Sequence, residues 1–139
     1  PKKLKVAIVQ ENLRFNQQFG RGLLPERNSM IIEFHQIVNT YIKRIFNVLL
    51  AINEMYHGED YKWIDALSQK MKTKPSNFIS RVRIVLLNDN VQSIWTEIES
   101  LIKDTIEIVE NELPEIDTNP AKLWFTMERK EWNQEPLPR

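Results

Sequence analysis

No cysteine occurs among the 139 residues. Disulfides, cysteine-ligated zinc and thiol catalysis are thereby excluded. Glycine occurs only three times, which favours helices joined by short connections. No apolar run approaches the roughly 18 to 20 residues of a membrane span, and no secretory leader pattern is visible. These absences fit a cytoplasmic protein that does not enter a membrane. Lys and Arg total 19, as do Asp and Glu, so the formal net charge is zero. Such a balance argues against broad nucleic-acid binding. There is no glycine-rich phosphate loop, no Gly-x-Ser-x-Gly elbow and no dinucleotide fingerprint. The serines have no triad partners in evidence. Hydrophobic residues make up 42% and charged residues 27%, as in an ordinary globular chain large enough for one core.

What is present is helical periodicity. Met30, Phe34, Ile37, Tyr41, Ile45, Val48, Ile52 and Met55 recur every three or four residues. This spacing places them on one stripe of an α-helix. Ile31, Val38, Ile42, Leu49 and Tyr56 form a second stripe beside it, so the apolar face is broad enough for several neighbours. Over 26–57 the helix would reach roughly 45 Å, with Gly58 as its left-handed stop. The rest of the chain reads as helices arranged around this central one.

Residues 1–19 read as a helix, with Val6, Val9 and Leu13 on one face and Leu4, Ile8, Phe15 and Phe19 on the next. Lys2, Lys3 and Lys5 sit in its first turn, where the helix dipole disfavours cations. That anomaly, and an opening Pro1 rather than Met, read as signs of a piece of a longer chain. Gly20, Gly22 and Pro25 break the helix. A short helix spans 61–71, with Tyr61, Ile64 and Leu67 inward. Pro75 is placed to begin the next helix, in which Phe78, Ile79, Val82, Val85 and Leu86 face inward; the run Val82–Val85 also suits a strand. Asp89 and Gln92 resemble a capping box for a long helix carrying Val91, Ile94, Trp95, Ile98, Leu101, Ile102, Thr105, Ile106, Val109 and Leu113. Pro114 ends it. Asn119 and Pro120 read as N-cap and first position of a last helix, with Leu123, Trp124, Met127 and Trp132. The expected fold is all-α: a mostly antiparallel bundle of five to six helices over 1–133, with a polar tail at 134–139.

Charge is unevenly placed. Residues 62–83 carry Lys62, Lys70, Lys72, Lys74, Arg81 and Arg83 against Asp65 alone. Residues 97–117 carry Glu97, Glu99, Asp104, Glu107, Glu110, Glu112, Glu115 and Asp117 against Lys103. Either the two segments complement each other across the bundle, or the basic one meets phosphate. Glu54 and His57 match one Glu-x-x-His pair of di-iron bundles, but a second pair is missing, so no metal is expected. His57 suits a helix C-terminus, and His35 the flank of the central helix. The Arg-and-His helix motif of HEPN-class RNases is absent, because seven residues separate Arg27 from His35 and Arg44 lies far from His57. Trp95 falls at a core position. Trp63, Trp124 and Trp132 sit beside polar neighbours, as half-buried flank residues or as walls of a cleft.

Three pieces in order carry a resemblance: Glu26-Arg27-Asn28, then Leu49-Leu50-Ala51-Ile52-Asn53-Glu54-Met55-Tyr56, then Tyr61-Lys62-Trp63-Ile64. They resemble the C-terminal helical domain of a family of bacterial nucleotidyltransferase-like proteins. In that family an Arg-Asn entry, a Leu-x-x-Asn-x-x-Tyr helix end and a Lys-Trp turn recur. The likeness covers about residues 1 to 70, and the later part is generic helix. It implies a partner domain of polymerase-β type, whose Gly-Ser turn and paired aspartates hold magnesium and a nucleoside triphosphate. This chain lacks them; Glu59-Asp60 has no Gly-Ser element beside it. The resemblance therefore implies a catalytically silent substrate-binding domain that forms one wall of the cleft. It places Arg27, Asn28, Asn53, Tyr56, Lys62 and Trp63 on that wall, with a Lys or Arg of the set, Lys62 or Arg27, as a charge clamp and Tyr56 or Trp63 stacking on a ring. A different reading of the same residues is a stand-alone helical interaction module, a homodimer or partner-binding bundle with no small-molecule site and with its flank aromatics in a symmetric interface.

Overall fold

The computed structural model describes residues 2–15, 31–56 and 64–126. Six helices lie within them: α1 (Lys2–Asn12), α2 (Ile31–Ile52), α3 (Ile64–Lys70), α4 (Phe78–Leu87), α5 (Val91–Glu112) and α6 (Asn119–Thr126). No strand occurs among the described residues, so Val82–Val85 is helical. The protein is an all-α bundle. Its main packing runs in a row, α1 on α2, α2 on α5 and α5 on α4, with α3 beside α4 and α6 beside α5.

The two apolar stripes of α2 explain its place in the row. Together they are wide enough to pack against both α1 and α5, and Phe34, Val38, Tyr41, Ile45, Val48 and Leu49 are all buried. Each such side chain removed from water contributes roughly 1.5–3 kcal/mol before entropic costs. On α5, every inward residue expected from Ile94 to Leu113 is buried, and Val91 packs at the margin. An aromatic group seals one end of the seam. Trp95 lies 6.1 Å from Phe34 and 6.5 Å from Tyr41, and Phe15 meets Tyr41 edge-on at 5.5 Å. Trp95 is thus a packing residue, as its spacing implied.

Helix directions follow from the contacts. Lys5 reaches Glu54, Asn12 reaches Asn47 and Phe15 reaches Tyr41, so α1 and α2 are antiparallel. The short connection from α4 to α5 makes those two antiparallel as well. The central pair differs. Trp95, near the start of α5, packs beside the first half of α2, while Glu115, just past the other end of α5, pairs with Lys2 of the same helix turn that brings Lys5 to Glu54. α2 and α5 therefore run parallel within an otherwise antiparallel arrangement.

This resolves the awkward first turn of α1. The C-termini of both long helices arrive at the end of the bundle where α1 begins. Lys5 Nζ donates to Glu54 Oε1 at 2.8 Å, and Lys2 lies 3.1 Å from Glu115. Cations that their own helix disfavours thus face carboxylates from two other segments.

Several boundaries differ from the sequence reading. α2 stops at Ile52 rather than near His57. Glu54 takes the left-handed conformation (φ 57°), Met55 N–H donates to Leu50 O and Glu54 N–H to Ala51 O. That is a Schellman turn, with Glu54 where glycine is usual. Met55 and Tyr56 kept the apolar spacing but lie beyond it. Residues 26–30, 57 and 58 are outside the described residues; the described helix is 22 residues long, about 33 Å. α1 ends at Asn12 rather than Phe19, because Phe15 leaves the helical path to bury beside Tyr41, whose hydroxyl donates to Phe15 O. Residues 16–19 are outside the described residues. Pro75 is buried three residues before α4, whose N-cap is Asn77 in a left-handed conformation (φ 54°). The N-cap of α5 is Asn90, accepting from Ser93 N–H, not Asp89. At α6 the capping oxygen comes from Asp117, accepting from Asn119 N–H, so Asn119 lies inside the first turn. Leu86 is exposed rather than inward.

Candidate functional site

The last turn of α2 and the connection from α3 to α4 enclose a cleft of about 450 Å³. Ile52 and Met55 give it apolar surface. Asn53 and Glu54 line the α2 side, and Lys70, Lys72 and Thr73 the other. The cleft therefore falls at the end of the stretch 49–56 that carries the resemblance.

Asn53 builds this site. Its Nδ2 donates to Leu49 O and to Thr73 O, each at 2.7 Å, and its Oδ1 accepts from Thr73 N–H at 2.9 Å. One side chain thus satisfies both backbone groups of Thr73 and a carbonyl at the end of α2, as buried backbone requires. One oxygen lone pair remains. Tyr56 lies just beyond the Schellman turn and is 45% exposed. Of the six residues that sequence placed on the wall, Asn53 lines the cleft and Tyr56 follows it closely in the chain. Arg27, Asn28, Lys62 and Trp63 lie outside the described residues, as do Trp132 and the Trp124 side chain.

The charges of this region sort into paired and unpaired. Glu54 is held by Lys5, whose hydrogen bond keeps the carboxyl below its usual range. The same bond raises the Lys5 ammonium. Arg81 of α4 donates to Glu97 at 2.6 Å, Ser100 at 2.8 Å and Asp104 at 2.7 Å, all on α5. Burial works against its charge, but the bonds to Glu97 and Asp104 outweigh it and raise its basicity. Arg83 pairs with Asp65, and Lys74 donates to Ser68 O. The expected complementarity of basic and acidic segments is thus realised through Arg81. Lys70 and Lys72 have no described carboxylate as an ion-pair partner. Neither was among the wall residues named from sequence; the excess of basic residues over 62–83 was the signal that pointed to them.

A second depression, about 580 Å³, lies along α1 between Val6 and Ala7 and the turn at Glu115. Its carboxylate is bonded to Lys2, and Glu115 is held below the usual carboxylate range first by its own backbone N–H and then by Lys2. Outside both depressions, α4 presents exposed Ile84, Leu86 and Leu87. His35 is an exposed flank residue beside Phe34. Among the described residues no three histidines or carboxylates are grouped to hold a metal ion, and no helix is long and apolar enough to cross a membrane.

No protein-family model, curated protein or solved structure matches the chain.

Proposed function

We propose that this chain is a helical ligand-binding domain, the substrate-holding half of a nucleotidyltransferase-like protein, working through the cleft at the end of α2. The observation that carries the reading is the coincidence of that cleft with the Leu-x-x-Asn-x-x-Tyr helix end, Asn53 standing in its wall. In this reading the bundle holds the acceptor, and magnesium and the nucleoside triphosphate belong to a separate polymerase-β-type domain. The catalytic step belongs to that domain in this reading, and this chain supplies the acceptor site. In this reading Lys62 and Trp63, which lie in sequence between the two segments that line the cleft, also belong to the acceptor-holding residues.

Thermal-shift screening tests this. The chain is screened against magnesium nucleotides and a library of small polar acceptors, beside Lys62→Ala and Tyr56→Ala. A ligand-induced rise in Tm that either variant loses is the expected result. No shift with any ligand, together with a dimer by light scattering, overturns it. That outcome favours the interaction module, for which exposed Ile84, Leu86 and Leu87 on α4 provide the surface.

A further inference from the structure

We infer that the cleft at the end of α2 takes an anionic group, of the phosphate-monoester class, between Lys70 and Lys72. The inference rests on the reading of this cleft as the binding site and names its ligand chemistry.

Three observations converge. Lys70 and Lys72 line the cleft, and no described carboxylate pairs with either. The one carboxylate among the described residues of the cleft, Glu54, is engaged by Lys5 at 2.8 Å and so is not offered to those lysines. The segment bearing Lys72 is fixed in place, because Asn53 bonds both backbone groups of the next residue, Thr73. Two ammonium groups beside a neutralised carboxylate match a dianion better than a neutral or singly charged group. Ile52 and Met55 add apolar surface on which a short organic body attached to that dianion packs. Three other described basic side chains of the region are committed elsewhere: Arg81 to α5, Arg83 to Asp65 and Lys74 to Ser68.

The test uses the full chain, labelled with ¹⁵N, and three probes of one shape: benzyl phosphate, benzoate and benzyl alcohol. Backbone amide shifts are followed for Lys70→Gln, Lys72→Gln and, as a control on an exposed α2 lysine, Lys43→Gln. All three positions are exposed, so the variants fold. The expected result is saturable benzyl phosphate binding centred on the amides of Asn53 to Met55 and Lys70 to Thr73. Benzoate binds more weakly and benzyl alcohol least. Each cleft variant weakens benzyl phosphate by roughly tenfold, added salt weakens it further, and Lys43→Gln leaves it unchanged. If benzyl alcohol binds the cleft as well as benzyl phosphate, and the lysine variants do not matter, the anion assignment is overturned while the cleft stands as a binding site. If benzyl phosphate produces only linear, unsaturable shifts spread over the surface lysines, the anion assignment is again overturned. If no probe moves the cleft amides and the wider acceptor library is silent too, the binding-domain reading falls with it.

Discussion

The two ends of α2 are held by different physics. At its first half, Phe34 and Tyr41 are locked against Trp95 and Phe15 by ring packing, with burial nearly complete. At its last turn, Asn53 and the Schellman hydrogen bonds position the chain, and the space beside them is open. Packing fills volume and leaves no room for a ligand. Directed hydrogen bonds fix a backbone without filling the space around it. The same helix is therefore packed into the core along its length, and beside its last turn it also borders open space.

Breaking the packed end should have the largest effect. Trp95→Ala or Phe34→Ala should cost about 3–5 kcal/mol, a large share of the ~5–15 kcal/mol of a typical domain, read as a lowered denaturant midpoint. Breaking the bonded end should cost less but change the cleft more. Asn53→Ala should destabilise by about 1–3 kcal/mol, speed hydrogen exchange at the Thr73 amide and abolish ligand response at the cleft. If Asn53→Ala is silent in exchange at Thr73, the clamp does not order that segment.

A finer distinction concerns Glu54. Its carboxyl is lowered from 4.5 by the Lys5 hydrogen bond, so the pair's stabilisation is present above pH 4.5 and lost as pH falls through the lower folded value. Lys5 is raised from 10.5, so on the alkaline side the contribution holds below pH 10.5 and fades above it. Lys5→Met should flatten the acid limb of the stability profile below pH 4.5. Glu54→Gly should relieve the left-handed backbone and raise Tm most at acid pH, where the wild-type pair is already gone. Equal Tm changes for Glu54→Gly at neutral and acid pH would remove the pair from the account. The smallest effect should come from the outer face of α4. Leu87, 76% exposed, should tolerate Leu87→Ser within about 0.5 kcal/mol. If that substitution also converts a dimer to a monomer by light scattering, α4 is an interface.

The contrast explains what could be read from sequence. Packing leaves a periodic record, so the fold class and all the inward residues of α5 were legible. Boundaries were less so, because apolar spacing continues past the point where hydrogen bonding ends the helix. Met55 and Tyr56 extended the α2 pattern beyond the turn at Glu54, and Phe15 kept helical spacing while burying from a non-helical segment. Capping chemistry was placed one or two residues off, since Asp89 and Asn90, or Asp117 and Asn119, offer similar groups. The cleft was harder still. Asn53 was singled out, but its bonds to Thr73 join residues twenty apart, which no local pattern encodes. Lys70 and Lys72 stood out only as part of a basic run, because sequence does not tell which cations find partners.

The parallel course of α2 and α5 also sets the order in which the chain can assemble. The contact between α4 and α5 at Arg81 and Glu97 closes over 16 residues, and that between Phe15 and Tyr41 over 26. The Phe34–Trp95 contact must bring together positions about sixty residues apart, a closure whose entropic cost is met only after the local pairs exist. Two antiparallel hairpins should therefore form early and dock late. The central seam is the slow step of folding rather than its seed.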